Sequence, residues 1–86
     1  MATIKQLREK IEVIDSAIIK KIAIRQKLSK QIGQLKNKAG KEILDNKREE
    51  ALMHLYENLS AQYQLQESFI KRIFKIIITH SRRLQR

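Results

Sequence analysis

Residues 4–38 read IKQLREKIEVIDSAIIKKIAIRQKLSKQIGQLKNK, and the apolar positions in this stretch decide the fold. Ile4, Ile11, Ile18, position 25 and Ile32 form one seven-residue row; Leu7, Ile14, position 21, Leu28 and Leu35 form a second. Two apolar rows at that repeat make the seam of a coiled-coil-like helix. Gly33 lies off the seam, where glycine costs about 1 kcal/mol relative to alanine without ending the pattern. Gly40, following Lys36 and Lys38, is the better stop, because glycine accepts the left-handed conformation that closes a helix. The spacing therefore predicts one helix over residues 4–38.

Such a helix is about 50 Å long at about 1.5 Å per residue. A compact chain of 86 residues has a radius of gyration of only about 12 Å. The helix must then project beyond its own globule. Because the seam stays apolar to both ends, the projecting part needs cover from another chain, and a two-fold homodimer is the commonest arrangement. A chain of this size, read as a single domain over residues 1–86, buries only about 60–65% of its unfolded surface, which adds to the case for a partner.

Beyond Gly40 the residues Lys41-Glu42-Ile43-Leu44-Asp45 read as a loop. Asp45 or Asn46 can then cap a second helix over roughly 46–62, with Leu52, Leu55, Leu59 and Tyr63 on one face. A polar turn around Gln64 leads to a third helix, where Phe69, Ile70, Ile73, Phe74, Ile77 and Ile78 supply a broad apolar face extending toward Leu84. The sequence has no proline, two glycines and 5% aromatic residues, a composition that favours helix and opposes a strand-rich core. The expected class is all-α, three helices per chain, one long and two shorter, in an intertwined homodimer.

With no cysteine in the sequence, disulfides, thiolate metal sites and cysteine nucleophiles are excluded. His54 and His80 stand apart from other ligands, so no metal site is expected. No glycine-rich phosphate loop and no motif around a nucleophilic serine occurs, and no cofactor is expected. Charged residues interrupt the apolar ones throughout the first twenty positions, which gives neither a signal peptide nor a membrane span and makes a cytoplasmic location the expectation. The net charge of +10 points to an anionic partner: nucleic acid, a membrane surface or a small acidic metabolite. The positions of the cations have to choose among these.

Arg25 interrupts the apolar row between Ile18 and Ile32, where an arginine is costly unless an anion or acidic group meets it. Lys36, eleven residues on, is rotated from it by only about 20° and lies about 16 Å further along the axis, so the two side chains can lean toward one small anion. Arg8 shares the flank of Lys36 but is about 25 Å from Arg25 along the helix, and only an antiparallel partner helix would deliver it. Arg8 and Lys36 as solvated flanks, with Arg25 snorkelling or paired with a glutamate, fit the same pattern. Asp45, Arg48 and Glu49 share a face at the start of the second helix, where by pattern alone a capping box between Asn46 and Glu49 explains them better than a binding role. Ser81 and Gln85 continue the apolar face of the third helix with hydrogen-bonding groups, or mark a fraying end.

In order, Leu7-Arg8-Glu9-Lys10-Ile11, Asp15, Arg25, Gly33, Lys36, Asp45-x-x-Arg48-Glu49, Arg72-x-Phe74-x-x-Ile77-Ile78, Ser81 and Gln85 resemble the all-helical (type II) chorismate mutase family over almost the whole chain. Each short motif is weak alone; the ordered set is specific. The resemblance implies an interlocked dimer of three-helix chains with two equivalent sites, no cofactor, and the rearrangement of chorismate to prephenate in aromatic amino-acid biosynthesis. It also implies that Arg25, Lys36 and Arg48 of one chain, with Arg8 of the other, surround the substrate's two carboxylates and ether oxygen. Asp45 and Glu49 are implied near the ring hydroxyl, Ser81 near a carboxylate and Gln85 near the ether oxygen, with Lys36 and Gln85 stabilising the charge that grows there.

Two competitors remain. An isochorismate–pyruvate lyase resembles these mutases and uses a similar cationic pocket, although the Asp45-x-x-Arg48-Glu49 and Ser81-x-x-x-Gln85 combination looks more like the mutases. A basic helical nucleic-acid-binding dimer would suit the sequence pI of about 10.2 and the run Arg82-Arg83-x-x-Arg86. Against it, Arg25 lies on the apolar seam and not on an outer face, so neither nucleic acid nor membrane is the expected partner.

Overall fold

A computed structural model describes residues 1–86 and consists of three α-helices, α1 (Ile4–Lys38), α2 (Asn46–Gln62) and α3 (Glu67–Gln85). The class is all-α, with the ends of α1 and α2 where the sequence places them. α1 starts on a capping box: Thr3 Oγ1 accepts from the Gln6 N–H at 3.2 Å, and the Gln6 side chain accepts from the Thr3 N–H at 3.0 Å. It ends in a Schellman turn, with the Gly40 N–H donating to Asn37 O at 3.3 Å and the Lys41 N–H to Lys36 O at 2.8 Å. Gly40 sits at φ 68°, the left-handed conformation such a turn requires.

α2 is capped by Asp45, whose side chain accepts from the Arg48 N–H at 3.0 Å. Its end repeats the Schellman geometry, with the Gln64 N–H donating to Ala61 O at 3.3 Å and the Leu65 N–H to Ser60 O at 2.8 Å. Here the left-handed position is taken by Gln64, at φ 57°.

α3 packs on both other helices, while α1 and α2 do not pack on each other. It runs alongside the C-terminal half of α1 in the same direction, Arg25 meeting Ser81 and Gly33 meeting Gln85. It runs antiparallel to α2, with Glu57 meeting Lys71 and Glu49 meeting Arg82. The buried face of α2 is one residue away from the expected one. Tyr56 and Ser60 are buried, whereas Leu55, Leu59 and Tyr63 are exposed. The Tyr56 ring stacks on Phe74 with centroids 4.3 Å apart. The small Ser60, whose hydroxyl donates to Tyr56 O at 2.6 Å, lets the α2 backbone approach α3. Tight aromatic stacking beside a small residue has taken the interface, leaving Leu55 and Leu59 on the outside while Leu52 lies half-buried.

All of the first twenty residues are exposed. The seam residues Leu7, Ile11, Ile14 and Ile18 keep 49%, 54%, 57% and 51% of their surface accessible. The radius of gyration is 16.3 Å and the longest dimension 57 Å, well beyond the roughly 12 Å of a compact chain. The N-terminal half of α1 thus projects from the three-helix body. No helix is long and apolar enough to cross a membrane.

Candidate active site

The C-terminal half of α1, the loop before α2, the first turns of α2 and the last turns of α3 enclose a cavity of about 260 Å³. Arg25 and Lys36 reach it from α1, Asp45, Arg48 and Glu49 from the start of α2, and Ser81 and Gln85 from α3. Seven of the eight residues expected from the sequence therefore meet around one space. Arg8 does not. It lies on the exposed N-terminal part of α1, outside the cavity.

None of Arg25, Lys36 and Arg48 is paired with a carboxylate. The Arg25 guanidinium donates to the Ser81 hydroxyl, so the residue that interrupts the seam is met by a buried serine from α3 and not by a glutamate. Lys36 Nζ donates to the Ile43 carbonyl at 2.9 Å, which ties the loop after α1 to its last turns. Arg48 contributes its backbone N–H to the Asp45 cap, and no carboxylate lies within 4.0 Å of the Arg25, Lys36 or Arg48 side chains. Three guanidinium or ammonium groups thus face a cavity whose acidic residues do not neutralise them.

The far end of the cavity is set by a close helix contact. A Cβ placed on Gly33 would stand 2.5 Å from Gln85 Cα and 2.6 Å from Gln85 O, so glycine is what allows α3 to reach this height over α1. Asn37 Nδ2 donates to the Gln85 carbonyl at 3.3 Å. Gln85 is therefore held in the helix, and the fraying reading of this terminus is corrected. Its Oε1 is buried without a hydrogen-bond partner. Ser81, one turn earlier, is buried and engaged with Arg25.

Glu49 also differs from the capping-box reading. The cap is Asp45, and the Glu49 carboxylate is paired with Arg82 Nη1 at 3.5 Å across the α2–α3 interface. Ser29 lines the cavity without having been singled out in the sequence, and Arg82, read there only as part of a basic run, lines it as well. Both had a readable signal: Ser29 is one turn beyond Arg25 and Arg82 one turn beyond the buried Ile78, on the same helix faces.

His54 is outside the cavity, 3.5 Å from Glu57 on the surface of α2, and His80 likewise does not line it. No group of three His, Asp or Glu side chains could hold a metal ion. What the arrangement can do is bind a compact polyanion and supply fixed positive charge and hydrogen bonds to it. That suffices for a reaction in which charge shifts within the bound molecule and no covalent link to the protein forms.

Comparison with known proteins places the chain in a family. The chorismate mutase type II family matches residues 7–86. A chorismate mutase of Methanocaldococcus jannaschii is 35% identical over 81 residues, spanning 94% of this chain and 82% of that protein. A bifunctional chorismate mutase/prephenate dehydratase of Buchnera aphidicola subsp. Schizaphis graminum is 35% identical over 74 residues, spanning 86% of this chain but only 19% of that protein. With almost its full length matched, this chain belongs to the chorismate mutase type II family.

Proposed function

We propose that the chain is a chorismate mutase acting as a single domain over residues 1–86, which converts chorismate to prephenate in the cavity between α1, α2 and α3. The observation that carries this reading is the convergence of Arg25, Lys36 and Arg48, none paired with a carboxylate, on one small cavity. Chorismate is a dianion. Cations clamping both of its carboxylates select the compact conformer in which the bond-forming carbons approach, and such positioning is worth several kcal/mol, on the order of 5.

In this reading Arg25, Arg48 and Ser81 hold the carboxylates, Asp45 and Glu49 meet the ring hydroxyl, and Lys36 and Gln85 donate to the ether oxygen. As the C–O bond breaks, negative charge grows on that oxygen, and fixed donors favour the transition state over the bound substrate. The rearrangement is intramolecular and pericyclic, so no nucleophile, metal or proton acceptor is required. The Glu49 side chain serves as a hydrogen-bond partner and not as a base.

The remaining cation is assigned to a second chain. In a two-fold homodimer whose α1 helices run antiparallel, the partner subunit's Arg8 completes each site, and the exposed seam on the projecting half of α1 supports such an assembly.

Incubation with chorismate and, separately, with isochorismate tests the function, with prephenate and pyruvate assayed in each. Prephenate from chorismate is expected. Pyruvate from isochorismate without prephenate from chorismate would replace the mutase reading by the lyase.

A further inference from the structure

We propose that Arg82 sets the affinity of the site for a dianion by neutralising Glu49, and so acts on the substrate through another residue's charge. This inference rests on the mutase reading of the cavity and adds to it a residue that the expected set does not contain.

Glu49 is an awkward neighbour for a dianion. It lines the cavity with Asp45, so two carboxylates of the protein share one small cavity with the two carboxylates of the ligand. Like charges a few ångströms apart at a partly shielded site repel strongly enough to matter against the attraction of three cations. Arg82 is the cation placed to offset this. Its Nη1 is 3.5 Å from Glu49 Oε2, and both side chains are about two-thirds shielded, with 31% and 28% of their surface accessible. No other cation comes within 4.0 Å of the Glu49 carboxylate, although Arg25, Lys36 and Arg48 line the same cavity.

The placement gives the pair two sides. Toward the cavity it presents a carboxylate whose charge is offset but whose second oxygen remains available to a hydroxyl. Away from it, the same two residues wall a groove between α2 and α3 that contains Glu50, Lys71, Arg72 and Lys75. Lys71 is committed to Glu57 and Glu67, at 2.7 and 2.9 Å. Arg82 therefore bridges the groove and the cavity from the turn of α3 that also carries Ser81 and Gln85.

The test is a double-mutant cycle of Arg82→Met and Glu49→Gln, which isolates the interaction between the two side chains. KM and kcat for chorismate are measured for all four proteins, and calorimetry supplies the Kd of a bicyclic dicarboxylate transition-state analogue. With Glu49 in place, Arg82→Met is expected to raise KM and Kd about tenfold while kcat changes by less than about threefold. In the Glu49→Gln background the same step should change KM and Kd by less than about twofold, because no carboxylate remains to be neutralised. Arg82→Lys, which keeps the charge, should restore most of the affinity. An equal rise in KM in both backgrounds would assign Arg82 to direct or long-range attraction and overturn the proposal, as would unchanged affinity in Arg82→Met. A fall in kcat together with lost helicity and an unaltered Kd would make Arg82 a packing residue and overturn it too. The native protein separates the two levels: failure to form prephenate or bind the analogue sinks the mutase reading itself, whereas normal turnover with a flat cycle sinks only the role of Arg82.

Discussion

At the scale of single residues, the cavity is defined by groups that interrupt otherwise regular patterns. Lys36 is at present tied to the Ile43 carbonyl, a contact that a neutral donor of similar length would also make; in the proposed mechanism its charge adds stabilisation of a growing negative charge in the cavity. Lys36→Ala is expected to lower kcat by roughly 10²–10³, as for loss of a donor to a developing oxyanion. Steady-state kinetics on a variant shown by circular dichroism to remain helical checks this, and near-normal kcat would remove Lys36 from the mechanism. Gly33 acts through space alone. Its substitution by alanine brings a methyl group against the Gln85 backbone, which cannot rotate out of the way. Gly33→Ala should therefore destabilise by about 1–3 kcal/mol despite the better helix propensity of alanine, measured from denaturant midpoints, and should lower turnover by displacing Gln85. A more stable, fully active variant would show that the close contact is not maintained in solution. Arg25 was legible because a charge on an apolar row has to be answered by something. Gly33 was not, because a glycine off the seam looks like a tolerated defect until the backbone of another helix is seen lying against it.

At the scale of elements, the helix boundaries follow from local chemistry that the sequence displays openly. Asp45 ahead of α2 and Gly40 behind α1 supply the cap and the left-handed turn. The turn after α2 uses a glutamine in the same role, which leaves strain that glycine would relieve. Gln64→Gly is expected to raise stability by about 0.5–1 kcal/mol, the cost of a left-handed non-glycine residue less the added chain entropy of glycine; thermal unfolding would show it, and a loss of stability would mean that the Gln64 side chain contributes more than its backbone costs. The α2–α3 pairing was less legible, since two adjacent faces of α2 compete and only the stacking of Tyr56 on Phe74 decides between them. The same interface carries an ion pair with a readable pH signature. A hydrogen bond from Lys71, reinforced by its charge and by His54, holds the Glu57 carboxyl below its ordinary value, and hydrogen bonds to Glu57 and Glu67 hold Lys71 above its own. Glu57 thus contributes stability that is present above the ordinary carboxylate range and lost as the pH falls through its lowered value; Lys71 contributes stability present at neutral pH and lost as the pH rises through its raised value. Between neutral pH and about pH 3, the melting temperature of the native protein should converge on that of Glu57→Gln. Parallel curves over the whole range would mean that the pair is not formed.

At the scale of the whole molecule, length was the most informative quantity in the sequence. A seam of 35 residues cannot fit within the radius of a compact chain of this size, and the projecting α1 with its exposed leucines and isoleucines is the physical form of that mismatch. What covers it is not written in periodicity, because an apolar row specifies burial without naming the partner. Arg8 lies on this uncovered part: it is outside the cavity lined by its own chain, and only a second chain running antiparallel would return it. The two ideas stand or fall together, and complementation separates them from a monomeric alternative. Arg8→Ala and Arg25→Ala should each abolish most activity as homodimers, since either substitution damages both sites. Unfolding the two variants together and refolding them in equal amounts makes half of the dimers hybrids. In a hybrid, one site receives both lesions and the other receives native Arg25 from one chain and native Arg8 from the partner subunit, so about one quarter of native activity should return, on random pairing of a two-fold dimer. If Arg8 served the site of its own chain, every site in the hybrid would carry one lesion and no activity would reappear. If Arg8 served no site, Arg8→Ala alone would already be active.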